Sequence, residues 1–340
     1  MGSIKKLICL RIKYYEYSSN RMADILPLKR IASRKGASAT KRHSDNSANL
    51  PIGNVSQYRF DKLLKLQIMG NGSFGTACLA IDTITDKSFV VKVVAKTDLA
   101  LIEIGIGMNM HSQFVCKTFG YAENNSKFYI IMEKAGNKDL FTFISENPRI
   151  FMENPSLFWF VASRVLQGLL YIHSRGYIHN DIKPENICIV SDESSIITDV
   201  KIIDFGFSIK TGEQNVGACG TPNYMDPSVV CGMPASQKSD IWSVGIVFYA
   251  MLNGTFPKPI SSRHPNKLLN KRSVLVKLKN IYESGKFSPF PEQSSDPKIL
   301  EIQDFIERCL VIQSEKRPTV KELLQTISLD FTQELSELRI

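Results

Sequence analysis

The spacing of apolar residues in this chain changes near Asp139, and that change limits the folds open to it. From Tyr58 to Tyr129, short apolar alternations are separated by turn residues, which is the pattern of a small, mostly antiparallel sheet. From Asp139 onward the apolar residues recur at helical spacing, in the stretches Leu157–Arg175, Asp240–Leu252, Ile299–Leu310 and Val320–Ile327. The sequence therefore predicts the α+β class, with a small β-rich lobe followed by a larger, mostly helical lobe.

The composition argues against several classes of protein. Of the 340 residues, 43% are hydrophobic, which is enough for a sizeable core. No apolar run reaches the roughly 18 residues of a membrane span, so neither a span nor a secretory signal is expected. The seven cysteines form no CxxC pair, which argues against a zinc site and a disulfide framework. These features predict a globular protein of the cytoplasm and/or the nucleus.

Residues 1–57 differ in character from the rest of the chain. They hold eleven basic and three acidic side chains and so supply nearly all of the formal net charge of +9. Their later part is rich in Ser, Asn and Ala, which is typical of a disordered arm. Three basic pairs, Lys29-Arg30, Arg34-Lys35 and Lys41-Arg42, are compatible with a nuclear-import signal, with contact to nucleic acid, or with a solvated tail.

Residues 70–75 form a GxGxxG string within the predicted sheet. Dinucleotide-binding folds use the same spacing, but there a helix follows the glycines, whereas here another strand-like run follows. Glycine lets backbone N–H groups approach an anion closely. The string therefore predicts a loop that covers the phosphates of a nucleotide.

A single lysine, Lys92, lies on an otherwise apolar predicted strand. An ammonium group there is costly to desolvate unless it meets an anion. Glu103 is the candidate partner, because it alone among the nearby glutamates lies on a predicted helix, which begins at Thr97 or Asp98.

The helix that would carry Glu103 is short and contains two glycines. Gly105 and Gly107 each weaken it by roughly 1 kcal/mol. We therefore expect a loose helix, in which Glu103 pairs with Lys92 only when a partner or substrate is bound.

The most specific signal is the string His179–Asn186, followed by Asp204-Phe205-Gly206. With the glycine string and Lys92, these motifs stand in the order and spacing by which residues 60–330 resemble the eukaryotic protein kinase catalytic domain. The resemblance implies a bilobal fold over residues 58–330 and an activity that phosphorylates serine or threonine in protein substrates, with ATP and Mg²⁺. The implied parts are an N-lobe at 58–132, a hinge at 133–138, a C-lobe at 139–330 and a tail at 331–340.

Phosphoryl transfer needs magnesium ligands, a fixed cation and an acceptor for the hydroxyl proton, and the resemblance assigns each of them. Asp181 matches the catalytic base. Lys183 matches the cation that holds the γ-phosphate in serine/threonine kinases, and Thr221 points to the same specificity. Asn186 and Asp204 match the magnesium ligands. Asp240 matches a buried aspartate that holds the backbone of the catalytic loop.

The resemblance also assigns the residues expected to contact ATP. In and after the glycine string these are Met69, Gly70, Asn71, Gly72, Ser73, Phe74, Gly75, Thr76 and Ala77. On the following strands and the hinge they are Val90, Lys92, Met132, Glu133, Ala135 and Asp139. Met132 is the expected gatekeeper beside the adenine, and Glu133 and Ala135 are expected to offer backbone hydrogen bonds.

Two departures concern activation. Asn180 stands where the family usually has an arginine that binds a phosphate on the activation loop. The usual phosphorylated position corresponds to Gly217, and between Gly206 and Gly220 only Ser208 and Thr211 carry hydroxyls. The residue that would bind the phosphate and the residue that would carry it are both absent. We therefore expect an enzyme that does not need phosphorylation of this loop.

A third departure concerns a buried ion pair. Ser228 stands where the family has a glutamate that pairs with a buried arginine, while the corresponding arginine, Arg317, is present. Because an unpaired buried guanidinium is unfavourable, two alternatives follow. Either Asp226 replaces the glutamate, or Arg317 is more exposed than usual.

Partners and competing functions complete the expectations. The stretch Lys258–Lys279 carries seven basic and no acidic side chains, so it could dock an acidic or phosphorylated partner or form a solvated helix face. A pseudokinase scaffold is the alternative function, although Lys92, Asp181, Asn186 and Asp204 are all present. A nucleic-acid-binding role would rest on residues 1–57 alone.

Overall fold

The computed structural model describes residues 63–72, 75–82, 85–213, 219–258, 260 and 271–327. These residues form two compact units. The smaller unit holds the described residues up to His111 together with Cys116–Lys134, and the larger holds Ser112–Val115 and the described residues from Ala135 onward. The predicted arm at 1–57, the predicted tail at 331–340 and Gly217 lie outside the described residues.

The smaller unit is built on a five-stranded antiparallel sheet with strand order β1-β2-β3-β5-β4. The strands are β1 Leu63–Gly72, β2 Gly75–Asp82, β3 Ser88–Ala95, β4 Thr118–Glu123 and β5 Lys127–Glu133. One face of the sheet carries a core of Ala80, Phe89, Val91 and Ile131, each at most 3% exposed. Burial alternates along most of β2 and β3, because successive side chains of a strand point to opposite sides, and the more buried set forms this face.

Helix α1, Asp98–Met108, completes the smaller unit. It begins where the sequence predicts, since the side chain of Thr97 caps it by accepting a hydrogen bond from the Ala100 N–H at 3.2 Å. Gly107 packs closely against β4, where an added Cβ would lie 2.5 Å from the Thr118 hydroxyl oxygen. The glycine that weakens the helix is thus the residue that lets it approach the sheet.

The larger unit is mostly helical, which confirms the predicted α+β class with a β-rich and a helical part. Its helices are α2 Leu140–Glu146, α3 Ile150–Glu153, α4 Pro155–Ser174, α5 Pro227–Val230, α6 Gln237–Asn253, α7 Lys271–Ser284 and α8 Pro297–Cys309, with residues 320–327 also helical. Two small sheets accompany them, ordered β6-β8-β9 and β10-β7. Their strands are β6 Lys138–Asp139, β7 Tyr177–Ile178, β8 Ile187–Ser191, β9 Ile197–Ile202 and β10 Ile209–Lys210.

Helix α6 lies at the centre of the larger unit, since every residue from Ser239 to Leu252 is buried. A capping box between Ser236 and Ser239 begins the helix, and Gly254 at φ 65° ends it. Aromatic side chains pack around it, with Phe248 5.8 Å from Phe158 between ring centroids. Through Asp240, this buried helix contacts the loop at residues 179–180.

One helix of the described chain, α4, is long and apolar enough by length and composition to cross a membrane. In the structure it is a core helix, since nine of its residues, Phe158 and Leu166 among them, are buried. Its apolar character is therefore explained by packing within the larger unit.

Candidate functional site

The smaller unit contains a buried ion pair between β3 and α1. The Lys92 ammonium lies 2.6 Å from the Glu103 carboxylate, and the two side chains are only 12% and 9% exposed. The sequence predicted this partner but expected the pair to require a bound partner or substrate. The structure places the two side chains in contact, and the close approach at Gly107 sets α1 directly against the sheet.

The predicted nucleotide contacts on the strands share one face of the sheet. Ala77 lies opposite Lys92 across β2 and β3, and Val90 lies opposite Met132 across β3 and β5. Paired residues of neighbouring strands point to the same side, as do residues two apart in one strand. The face opposite the apolar core therefore gathers Ala77, Val90, Lys92 and Met132.

The glycine string turns the chain from β1 into β2. Gly75 has a φ of 148°, and a Cβ there would lie 2.2 Å from the Val93 carbonyl oxygen, so only glycine fits. Met69 is 46% exposed. Ser73 and Phe74 lie outside the described residues, as do the side-chain surroundings of Asn71.

The predicted hinge residues fall in different units. Glu133 ends β5, where its N–H donates to the Lys117 carbonyl at 2.9 Å and its carboxylate accepts from the Lys117 N–H at 3.0 Å. Ala135 belongs to the larger unit and is buried. Asp139 caps α2 by accepting from the Thr142 N–H at 2.6 Å. Burial raises the pKa of the Asp139 carboxyl, and the hydrogen bonds from Thr142 oppose that rise.

In the larger unit, Asp181 is held at both carboxylate oxygens. Its Oδ1 accepts hydrogen bonds from the Thr221 N–H at 2.9 Å and the Thr221 hydroxyl at 2.7 Å. Its Oδ2 accepts from the Lys183 ammonium at 2.5 Å and the Asn186 amide at 3.1 Å. Lys183 also donates to the Thr221 hydroxyl at 2.9 Å, so these side chains form one closed network. The carboxylate is 5% exposed, and its orientation is therefore fixed by its neighbours.

A second aspartate supports the loop that carries Asp181. Asp240, on α6, accepts hydrogen bonds from the backbone N–H groups of His179 at 2.9 Å and Asn180 at 2.8 Å. The ring of His173 lies 2.8 Å from the same carboxylate. The sequence predicted the structural role of Asp240 by resemblance, whereas His173 carried no signal, because a lone histidine on an apolar helix is usually a core residue.

The predicted magnesium ligands are both oriented by hydrogen bonds. The Asn186 amide nitrogen donates to the Asp181 carbonyl at 2.9 Å as well as to its carboxylate. This orientation leaves Oδ1 of Asn186 as the atom that could ligate a metal ion. Asp204 adopts a φ of 67°, and its Oδ1 accepts from the Gly206 N–H at 3.0 Å. A carboxylate with an amide oxygen is a donor set that suits Mg²⁺. The two residues thus fit the ion.

Asn180 makes a direct contact in place of the missing arginine. Its amide nitrogen donates to the Phe207 carbonyl at 3.2 Å, just after the Asp204–Gly206 turn. Its φ is 65°, a left-handed conformation in which asparagine is enriched. Neighbouring Ser208 is 4% exposed and donates to the His179 carbonyl at 3.1 Å. The loop that carries Asp181 is therefore joined to the next segment by uncharged hydrogen bonds.

Two further groups define the electrostatics of the larger unit. Burial raises the pKa of Tyr224 well above its ordinary value, and the negative charges of Glu185 and Asp181 add to that rise, so Tyr224 stays neutral. Arg317 is fully buried and pairs with the Asp226 carboxylate. Of the two alternatives for Arg317, the structure therefore shows the first, in which Asp226 replaces the missing glutamate, and greater exposure is wrong.

Comparison with known proteins identifies a related family. Residues 63–327 match the family described as protein kinase domain. Maternal embryonic leucine zipper kinase of Danio rerio is 29% identical over 269 residues, which cover 76% of this chain and 36% of that protein. Serine/threonine-protein kinase kin-29 of Caenorhabditis elegans is 32% identical over 267 residues, covering 76% of this chain and 29% of that protein. The chain thus spans about a third of the length of these relatives.

Proposed function

Because residues 63–327 show that the chain belongs to the protein kinase family, we propose that it transfers the γ-phosphoryl group of ATP to serine or threonine hydroxyls of protein substrates. The observation that carries the proposal is the network around Asp181, in which Lys183, Asn186 and Thr221 hold one buried carboxylate in a single orientation. A carboxylate held in this way can accept the proton of an attacking hydroxyl.

The remaining residues divide the other tasks. Lys183 places a positive charge beside Asp181, where negative charge accumulates on the transferred group. Asn186 and Asp204 would hold Mg²⁺, which when bound neutralises phosphate oxygens. Lys92, oriented by Glu103, supplies a second fixed cation for the nucleotide phosphates. Ala77, Val90 and Met132 offer an apolar surface to the adenine.

A peptide phosphorylation assay with purified protein, ATP and Mg²⁺ tests the proposal. We expect Asp181→Ala to lower kcat by about 10²-fold or more, because the acceptor for the hydroxyl proton is lost. Asp304→Ala on α8 is the matched control, since Asp304 is exposed and lies outside the network. Transfer that persists in Asp181→Ala contradicts the assignment of the base. No transfer by the wild type would instead indicate the scaffold alternative, which no observation in the described chain favours.

We further propose that activity does not require phosphorylation of the activation loop. Asn180 already joins the catalytic loop to Phe207 without a phosphate, and Ser208 is buried and hydrogen bonded. Thr211 is the exposed hydroxyl in the described part of the loop.

Protein treated with phosphatase, and shown to be unphosphorylated by intact mass, should therefore be as active as untreated protein. Thr211→Ala should also keep its activity, because it removes that exposed acceptor alone. Protein that stays inactive until the loop is phosphorylated contradicts this proposal.

The partner surface and the location of the protein remain predictions. On α7 the apolar side chains of Val274, Leu278 and Ile281 are buried, and the cations Lys271 and Arg272 are exposed. This arrangement supports docking of an acidic partner at the described part of the stretch Lys258–Lys279. A nuclear-import signal or a nucleic-acid contact would involve residues 1–57, which lie outside the described residues.

A further inference from the structure

The buried guanidinium of Arg317 has a partner for every one of its donors. It donates to both carboxylate oxygens of Asp226, at 2.5 and 2.9 Å. Three backbone carbonyls accept its remaining hydrogens, those of Val311 at 2.6 Å, Lys238 at 2.9 Å and Ile312 at 3.1 Å. Both partners of the ion pair are 0% exposed. Because the pair is bidentate and all five guanidinium hydrogens are used, Arg317 both neutralises the Asp226 carboxylate and holds its orientation.

Asp226 also determines where the chain turns. Its Oδ1 accepts a hydrogen bond from the Ser228 N–H at 2.9 Å and so caps α5. The residues just before it form a short 3-10 helix, Pro222–Tyr224, whose Tyr224 carbonyl accepts from the Ser243 hydroxyl of α6 at 2.8 Å. The segment from Thr221 to Asp226 is therefore anchored at its far end by Asp226 and in its middle by α6.

The near end of this segment touches the proposed base. Thr221 binds Asp181 Oδ1 through both its N–H and its hydroxyl. Within the described chain, both hydrogen bonds to Asp181 Oδ1 come from Thr221. A shift of the segment would therefore change the orientation of the Asp181 carboxylate.

We infer that Asp226 is a positioning residue for phosphoryl transfer, and that its carboxylate does the work of the one that the family resemblance leads us to expect at position 228. The pair with Arg317 holds residues 221–226 so that Thr221 orients Asp181. The inference rests on the proposed function for its kinetic consequence, but its structural part can be tested without it.

A carboxylate at position 228 should be able to replace the one at 226. Ser228 is 5% exposed, and its N–H binds the same Asp226 oxygen that accepts from Arg317. A glutamate side chain at 228 therefore starts close to the guanidinium. With Asp226 still present, however, two buried carboxylates would compete for one cation, which is unfavourable.

The test is a cycle of four proteins: wild type, Asp226→Ala, Ser228→Glu and the double variant. Each single variant should be worse than both the wild type and the double variant. We expect Asp226→Ala to lower kcat for a peptide by about 10²-fold, because a catalytic group that is slightly misplaced loses about this much rate. KM for ATP should change less than about threefold. The double variant should recover most of that loss. A double variant no more active than Asp226→Ala overturns the inference, as does an Asp226→Ala protein with wild-type kcat.

Thermal unfolding and hydrogen exchange test the structural part of the inference without an activity assay. They therefore apply even if a variant folds poorly or the wild type is inactive. Asp226→Asn retains the shape and the cap but removes the charge. It should lose exchange protection in residues 219–231, with the peptide covering α8 unchanged as an internal control. The unfolding temperatures of Asp226→Ala and Ser228→Glu should both lie below those of the wild type and the double variant. An inactive wild type with this order intact contradicts the proposed function alone, whereas unchanged protection in Asp226→Asn contradicts the positioning role.

Discussion

At the scale of single residues, the Asp181 network shows how a hydroxyl can orient a carboxylate. Thr221 accepts a hydrogen bond from the Lys183 ammonium and donates one to Asp181, so it links the cation to the proposed base. The sequence identified Asp181 and Lys183 by their motif, and it associated Thr221 with specificity only. Thr221 and Asp181 lie forty positions apart in the chain, so no local sequence pattern indicates the contact between them.

Removing that hydroxyl should therefore slow the reaction without unfolding the protein. Thr221→Val keeps the size of the side chain but deletes the donor to Asp181, so we expect kcat to fall by about 10²-fold, the range seen when one oriented donor is lost. Thr221→Ser restores the hydroxyl and should stay within a few-fold of the wild type. Steady-state assays of both variants check this, and equal kcat values for them would argue against a role for the hydroxyl.

At the scale of elements, α1 shows that a residue unfavourable to a helix can be required by its packing. Glycine in a helix interior costs about 1 kcal/mol relative to alanine. At Gly107, however, an added Cβ would lie 2.5 Å from the Thr118 hydroxyl oxygen of β4. Loss of this close approach would move α1, and with it Glu103, away from Lys92.

We therefore expect Gly107→Ala to destabilise the protein by about 1–3 kcal/mol, as overpacking does, despite the gain in helix propensity. Gly105→Ala is the matched control, because it makes the same change two residues away, where the chain is only half-buried. Denaturant unfolding of both variants measures the difference. Adding Thr118→Ala to Gly107→Ala should recover part of the loss, and a Gly107→Ala protein more stable than the wild type would contradict this account.

At the scale of the whole molecule, charge and fold are separated along the chain. The first described strand begins at Leu63, whereas nearly all of the net charge of +9 comes from residues 1–57. The basic character therefore belongs to a region outside the described elements, and the two compact units together are close to neutral.

Deletion of residues 1–57 should accordingly leave folding intact and remove most of the net charge. We expect a circular dichroism spectrum and an unfolding temperature close to those of the full chain, because the elements of both described units are retained. Retention on a DNA column should be salt-dependent for the full chain and absent after the deletion, if the arm contacts nucleic acid. Equal retention of the two proteins would place any such contact elsewhere.

The sequence by itself determined the features that depend on contiguous patterns. The change from strand-like to helical apolar spacing predicted the fold class. The string His179–Asn186 and the Asp204 turn are contiguous motifs, so the base and metal ligands proposed above could be assigned from them by resemblance to the family. The start of α1 was equally readable, because Thr97 caps the helix through its own neighbours.

Only the tertiary structure decided contacts between distant positions. The sequence left the partner of Arg317 open, because Asp226 lies ninety-one positions away. Both an exposed Arg317 and an Arg317–Asp226 pair were compatible with the local sequence. The geometry of the Lys92–Glu103 pair was also beyond the sequence, since helix propensity counts the glycines of α1 against the helix and ignores the packing that Gly107 permits. The physical reason is the same in both cases. Burial and close approach are properties of the folded chain, and they outweigh local preferences once the surrounding elements have packed.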